Sequence, residues 1–110
     1  MRFKGGVVMK KVRVTFVVRP NRDCEELYLI GSTKNIGEWN TAKAAKMKYD
    51  AELNVFVINK LFVENEAVEY KFISNKNWTF VEKGIWNEEI CNRVFVPTKG
   101  LKLNLTIEHI

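Results

Sequence analysis

Strict alternation of apolar and polar side chains, in short runs cut by turn residues, constrains this chain most. A strand with one buried face requires that period of two. Val12, Val14, Phe16 and Val18 are separated by Arg13, Thr15 and Val17. Over Val55 to Val63, Phe56, Ile58, Lys60 and Phe62 face one way, and Val55, Val57, Asn59, Leu61 and Val63 the other. Val68, Tyr70 and Phe72 share a face, with Glu69, Lys71 and Ile73 opposite. Leu101, Leu103, Leu105 and Ile107 alternate with Lys102, Asn104, Thr106 and Glu108. Leu27 to Ser32 is an apolar run closing on Gly31, as in a central strand. Shorter strands are expected over Lys46 to Asp50, Thr79 to Glu82 and Arg93 to Val96, the last stopped by Pro97. Turns fall at Asn21 to Asp23, Lys34 to Asn40, Glu64 to Glu66, Ser74 to Asn77 and Gly84 to Cys91, with a helical turn expected in Thr41 to Lys46. About seven to eight short strands and no long helix predict an all-β antiparallel sandwich or small barrel.

The 110 residues suffice for one domain, placed at residues 10–110. Met1 to Met9 contains Gly5 and Gly6 and no period, so it is expected to be a flexible N-terminus or an expression remnant. A hydrophobic content of 46% with 28% charged residues is globular rather than disordered. No apolar run approaches the roughly 20 residues of a membrane-crossing helix. No secretory signal is visible between Met1 and Lys11, which predicts an intracellular protein with reduced thiols. Cys24 and Cys91 do not make a disulfide framework, though the fold could bring them together. Two cysteines and His109, the one histidine, are too few for a zinc site or a nucleophile–histidine device. No catalytic residue, metal or cofactor is expected.

The net charge of +5 is uneven. Residues 1–50 hold 11 basic and 5 acidic residues, and residues 51–110 hold 7 and 8. Such a half could meet nucleic acid or an acidic surface, or be solvated surface. Three tryptophans are more specific. Trp39, Trp78 and Trp86 all fall in loops or at strand ends rather than on the apolar face of a strand. An indole there either plugs the end of the sandwich or presents a flat apolar surface to a ligand. A pyranose ring suits such a surface, because its C–H face lies flat on an indole while its hydroxyl rim needs fixed donors and acceptors.

Four segments in order carry a resemblance. They are Val12 to Val18 (VRVTFVV), Leu27 to Ser32 (LYLIGS) with Asn35 to Asn40 (NIGEWN), Val68 to Ile73 (VEYKFI), and Trp86 with Asn92 and Arg93. Together they resemble a starch-binding domain of carbohydrate-binding module family 20, over about residues 10–98. The resemblance implies an immunoglobulin-like β-sandwich and two glucan sites. In the first, two tryptophans stack on sugar while a lysine and an asparagine bond its hydroxyls, which implies Trp39, Trp86, Lys71 and Asn92 here. Lys71 lies opposite Tyr70 and Phe72, so it is expected to reach solvent. Asn87 stands where an acidic residue often follows the second tryptophan, and it can still hydrogen-bond. The step from Trp86 to Asn92 is one residue longer than the usual family spacing.

The second site depends on tyrosines. Its first-loop position falls near Asp23, which cannot stack, and Tyr49 lies in roughly the right region. A tryptophan common in the middle strand is replaced at Val55 and Phe56. One strong site is expected, with the second degenerate or absent. Trp78 has no family counterpart and either extends the first platform or caps the hairpin at Ser74 to Thr79. Arg93 is expected to be structural. Glu38 with Glu82 or Glu88 could be imagined as a glycosidase pair, but the chain has no body to form a cleft.

These readings predict a non-catalytic module for α-1,4-glucans (starch, glycogen, maltooligosaccharides) that targets an attached protein to the polysaccharide. A monomer is expected, with no nucleic-acid or membrane partner. The alternatives are a protein-interaction sandwich with the loop tryptophans as anchors, or a single-stranded nucleic-acid binder. Glucan is uncharged, so strong salt dependence would separate the nucleic-acid reading from it.

Overall fold

The computed structural model describes residues 3, 4, 7, 8, 10–21 and 24–110, with side chains for 10–21 and 24–110. Asp23 and several positions of the expected flexible N-terminus lie outside the described residues. Within that terminus, β1 (Phe3–Lys4) and β2 (Val7–Val8) pair antiparallel.

The remaining strands form two sheets. One has the order β10-β3-β7-β6, from β3 (Lys11–Pro20), β6 (Lys48–Asp50), β7 (Val55–Val63) and β10 (Lys102–Ile107). The other has the order β5-β4-β8-β9, from β4 (Leu27–Gly31), β5 (Ala45–Lys46), β8 (Val68–Ser74) and β9 (Arg93–Phe95). The all-β sandwich expected from the alternation is present. It differs in one pairing, because β10 runs parallel to β3, with Leu103 opposite Phe16. The chain leaves β9 in one sheet and, through the short connection 96–101, enters the other beside its own first long strand, so the paired strands come from opposite ends of the domain.

Alternation sorts the side chains as the sequence requires. Val14, Phe16 and Val18 of β3 are fully buried. The Phe16 ring sits edge-on to Phe62, Tyr70 and Phe95 at 6.2, 5.5 and 5.4 Å between centroids, so both sheets meet on it. Edge-to-face contacts of this kind add to the area each ring buries. Lys11, Arg13 and Arg19 point outward on β3, with Lys102 of β10 and Lys48 of β6 on the same face. Much of the first half's basic excess therefore lies on the sheet that carries no tryptophan. Lys60, opposite Val14, points to the inner side where β7 has become an edge. An inward charge there discourages a further strand from adding.

Every residue of β4 is buried. Leu27 and Leu29 join the Phe16 core, whereas Tyr28 and Ile30 join a second cluster with Ala44, Ile73 and Val81 on the sheet's outer face. Loops therefore cover that outer face. Two short elements differ from expectation. The segment read as one strand over Lys46 to Asp50 splits, and buried Met47 between β5 and β6 crosses from one sheet to the other. Thr79 to Glu82 is not a strand. Trp78–Phe80 forms a 3-10 turn capped by Asn77, and only Val81 bridges to Ile73. Cys24 and Cys91 are both free thiols.

The Glu82 carboxylate, fully buried, joins these parts. It accepts from the Arg93 guanidinium at 2.9 Å and from the Phe72 backbone N–H at 3.0 Å. β9 covers β8 only from Val68 to Tyr70, so the Phe72 N–H has no strand partner on that edge. Glu82 supplies one. Arg93 also donates to the Thr106 carbonyl of β10 at 2.9 Å and lies over the Phe72 ring. Removing one member of a buried pair strands the other. Arg93→Met is expected to lower the unfolding free energy by about 3 kcal/mol in urea denaturation. Arg13→Met, at an exposed residue bonded to Asn59, should change it by less than about 0.5 kcal/mol. Phe16→Ala should cost about 3–5 kcal/mol by the same assay.

Candidate functional site

The outer face of the β5-β4-β8-β9 sheet collects the tryptophans, and Gly31 at the end of β4 starts the arrangement. A Cβ there would lie 2.3 Å from the Glu69 carbonyl oxygen and 2.5 Å from Ile36 Cδ1. Only glycine lets Ile36 enter the core so close to the strand end. The chain then reverses through Gly37, Glu38 and Trp39 at φ of 94°, 48° and 64°. Trp39 in the left-handed region is strained, since that conformation costs a bulky residue about 1–3 kcal/mol. Its N–H donates to the Gly31 carbonyl at 3.0 Å, and the Glu38 N–H to Thr33 at 3.1 Å, so backbone bonds hold the turn. The Trp39 indole packs against the Tyr28, Ile30, Ala44, Ile73 and Val81 cluster with part of its surface open.

Asn77 sets the second ring. Its side chain accepts from the Thr79 N–H at 2.8 Å and starts the 3-10 turn that carries Trp78. Trp78 is 43% exposed, and its ring lies 6.2 Å from that of Trp39 with 33° between planes. The two indoles form a shallow, partly open aromatic pair. The sequence left Trp78 between platform and cap; in the structure its ring lies beside that of Trp39. Beneath this face Tyr28 donates to Glu26 at 2.8 Å, a bond that, with Lys46, holds the Glu26 carboxyl below its ordinary range.

Lys71 departs from expectation. Its side chain is on the outer face as the alternation requires, but it is buried. The loop between β8 and β9 folds over it, and its ammonium donates to the Ile90 carbonyl at 2.6 Å. One of three donors is thereby used. No local pattern marks Ile90 as that acceptor, because the contact is made by the loop's closure. Asn92 is exposed and donates to Glu69 at 3.3 Å, leaving its amide oxygen open.

Trp86 stands apart. It is 84% exposed, and among the described residues the ring paired with Trp39 is Trp78. The turn around it is closed by Gly84 N–H to Glu88 O and Asn87 N–H to Gly84 O, both 2.9 Å. Asn87 takes φ of 62° there, so its role in the turn is visible and its side chain is free at the surface. Tyr49, the candidate for the second site, donates to Asn54 at 2.6 Å and packs on Phe56 with 5.1 Å between centroids. It lines a separate groove with Pro20, Asn21 and Glu25. Of the imagined carboxylate pair, Glu82 is bound to Arg93, and Glu88 accepts from the Trp86 N–H at 2.9 Å.

Comparison with known proteins gives the same frame. No curated protein matches the sequence. Among solved structures, the glycoside hydrolase family 15 glucoamylase from Hypocrea jecorina aligns with a TM-score of 0.70 at 16% identity, covering 92% of this chain and 18% of that one. The glucoamylase of Hormoconis resinae aligns with a TM-score of 0.69 at 20% identity, covering 91% and 18%. The family 20 carbohydrate-binding module of the maltotetraose-forming amylase from Pseudomonas saccharophila STB07 aligns over its whole length and 87% of this chain, with a TM-score of 0.65 at 16% identity. At these identities the alignments show the shared fold, and this chain spans under a fifth of either glucoamylase. The family model for the starch binding domain matches residues 11–105, and the chain belongs to that family, carbohydrate-binding module family 20.

Proposed function

We propose that the domain binds α-1,4-glucan on the outer face of the β5-β4-β8-β9 sheet and does no chemistry on it. The Trp39–Trp78 pair carries this reading: two indoles 6.2 Å apart, within 33° of parallel, on a face supported by a packed cluster. The apolar face of a glucose ring stacks on such a surface, and Lys71 and Asn92 offer donors and an acceptor to its hydroxyls. A few rings and exposed hydrogen bonds make a weak site. Dissociation constants between about 1 μM and 1 mM, or roughly −8 to −4 kcal/mol, are expected. That suffices when the ligand is a polymer, because a tethered partner gains effective concentration from each binding event. The reading includes a linked glucan-acting domain in a longer protein. Tyr49 and its groove serve at most as a weaker second site.

Titration with maltoheptaose, followed by tryptophan fluorescence, tests this. Saturable binding is expected. Trp39→Ala should weaken it by about tenfold or more, the equivalent of about 1.4 kcal/mol, while circular dichroism stays unchanged. Binding should be indifferent to a roughly tenfold rise in salt, whereas a phosphate-dependent interaction would fall steeply. A folded protein that binds no glucan would refute the proposal and turn attention to a protein partner.

A further inference from the structure

The outer face of the β10-β3-β7-β6 sheet has no part in the glucan reading, and its charge is one-sided. Lys11, Arg13 and Arg19 stand outward along β3, Lys102 beside Thr15 on β10, and Lys48 beyond Val57 on β6, all of them exposed. At the outward positions of these four strands one carboxylate occurs, Asp50 at the end of β6. It is engaged by the following turn, where it accepts from the N–H groups of Glu52 and Leu53 at 3.0 and 3.2 Å. Glu52, Glu64, Glu66 and Glu108 fall in turns or beyond strand ends, at the rim.

The five cations are oriented but not neutralised. Among the described residues the ion pairs are Lys46–Glu26, Lys83–Glu89 and Arg93–Glu82, none of them on this face. Arg13 donates to the Asn59 side-chain oxygen at 2.7 Å and Arg19 to the Leu53 carbonyl at 3.3 Å, both neutral acceptors. On the far side of the sandwich the outward residue of β8 beside Lys71 is Glu69, so the field has a direction.

The arrangement is a sheet of charge rather than a line. Lys11 to Arg19 spans about 27 Å at the rise of a strand, and β10 to β6 about 14 Å across three strand spacings. Neighbouring cations lie within the roughly 10 Å screening length of 0.1 M salt, so their potentials add. A single nucleic-acid strand is held by stacking on aromatic rings, and no aromatic residue occupies an outward position here. A duplex groove admits a helix or a narrow ribbon, not a broad sheet face, and a cylinder meets a plane along one line. A second copy of the chain would bring like charge against like. A planar anionic surface reaches all five cations at once.

We propose that this face docks on an anionic lipid surface, its five cations meeting phosphate and carboxylate headgroups, and that the tryptophan face is thereby turned away from the bilayer. The inference is independent of the glucan reading, and it departs from the expectation of no membrane partner.

Co-sedimentation with phosphatidylcholine vesicles containing about 30 mol% phosphatidylserine, at about 50 mM salt, tests this. The domain is expected on these vesicles and not on pure phosphatidylcholine. Each cation removed should weaken partitioning about fivefold, so Arg13→Gln with Lys102→Gln should lower it by about 25-fold. Lys43→Gln with Lys76→Gln removes the same charge from loops of the other sheet and should stay within about twofold of the wild type. All four of these side chains are exposed, so unfolding curves of both variants should overlay the wild type. An equal loss in the two double variants would overturn the proposal, because net charge alone would then account for binding. Absence of binding to the anionic vesicles would also overturn it. Tighter binding to a DNA duplex of about 20 base pairs at the same salt would reassign the face to nucleic acid. Maltoheptaose should leave the vesicle-bound fraction unchanged, whereas displacement would put the lipid contact on the tryptophan face and refute the assignment.

Discussion

The carboxylate of Glu82 lies where three pieces of chain must agree. It answers the Phe72 N–H that the short β9 leaves unpaired, and it neutralises Arg93, whose other nitrogen reaches the Thr106 carbonyl in the opposite sheet. A charge this deep is tolerated only because a cation and an N–H both satisfy it. Its position fixes where the segment after Val81 begins, and Arg93 fixes where that segment ends. The whole stretch from Lys83 to Asn92 hangs between the two partners of one ion pair. Trp86 and the acceptor for Lys71 owe their places to that span.

A second constraint acts at the opposite corner. Gly31 admits Ile36 to the core because no Cβ stands between them, and the turn that follows puts Trp39 into a left-handed conformation. The strain is sustained by the Gly31 and Thr33 carbonyls and by the apolar cluster under the indole. A bulky residue in that region is a cost to the fold, and a domain of this size has only about 5–15 kcal/mol of net stability to absorb it. The result is an indole on the outer face whose orientation is set by the fold itself.

The strands were legible because alternation is local. Val14, Phe16 and Val18 could be assigned inward without knowing what they face, and burial follows that assignment. The family motifs likewise pointed to Trp39 and Lys71, and both lie on the outer face of the β5-β4-β8-β9 sheet. What was not legible depends on closure between distant segments. Lys71 was expected in solvent, yet Ile90, far along the chain, covers it and accepts a hydrogen bond from its ammonium. Trp78 could be read as platform or cap, because its distance to Trp39 is set by two independently capped turns. The strand expected at Thr79 to Glu82 gave way because Asn77 caps a 3-10 turn there and Glu82 is needed as a side-chain acceptor. The parallel course of β10 also left no trace in its own residues, since Leu103, Leu105 and Ile107 would alternate equally well in either direction.

The two sheet faces divide the surface chemistry. Lys11, Arg13, Arg19, Lys48 and Lys102 project from one, and the tryptophans from the other. A neutral polyhydroxylated ligand gains little from a field of lysines, whose strongly hydrated ammonium groups would have to be stripped of water. It gains from flat apolar area flanked by hydrogen-bonding groups already committed in direction. Lys71 meets that requirement because it is covered. With one donor bound to the Ile90 carbonyl, its ammonium is oriented, and the entropy of a long flexible side chain has been lost on folding rather than on binding. Under the proposed glucan reading, the burial that contradicts the simple expectation for Lys71 lowers the entropy cost of using it as a donor.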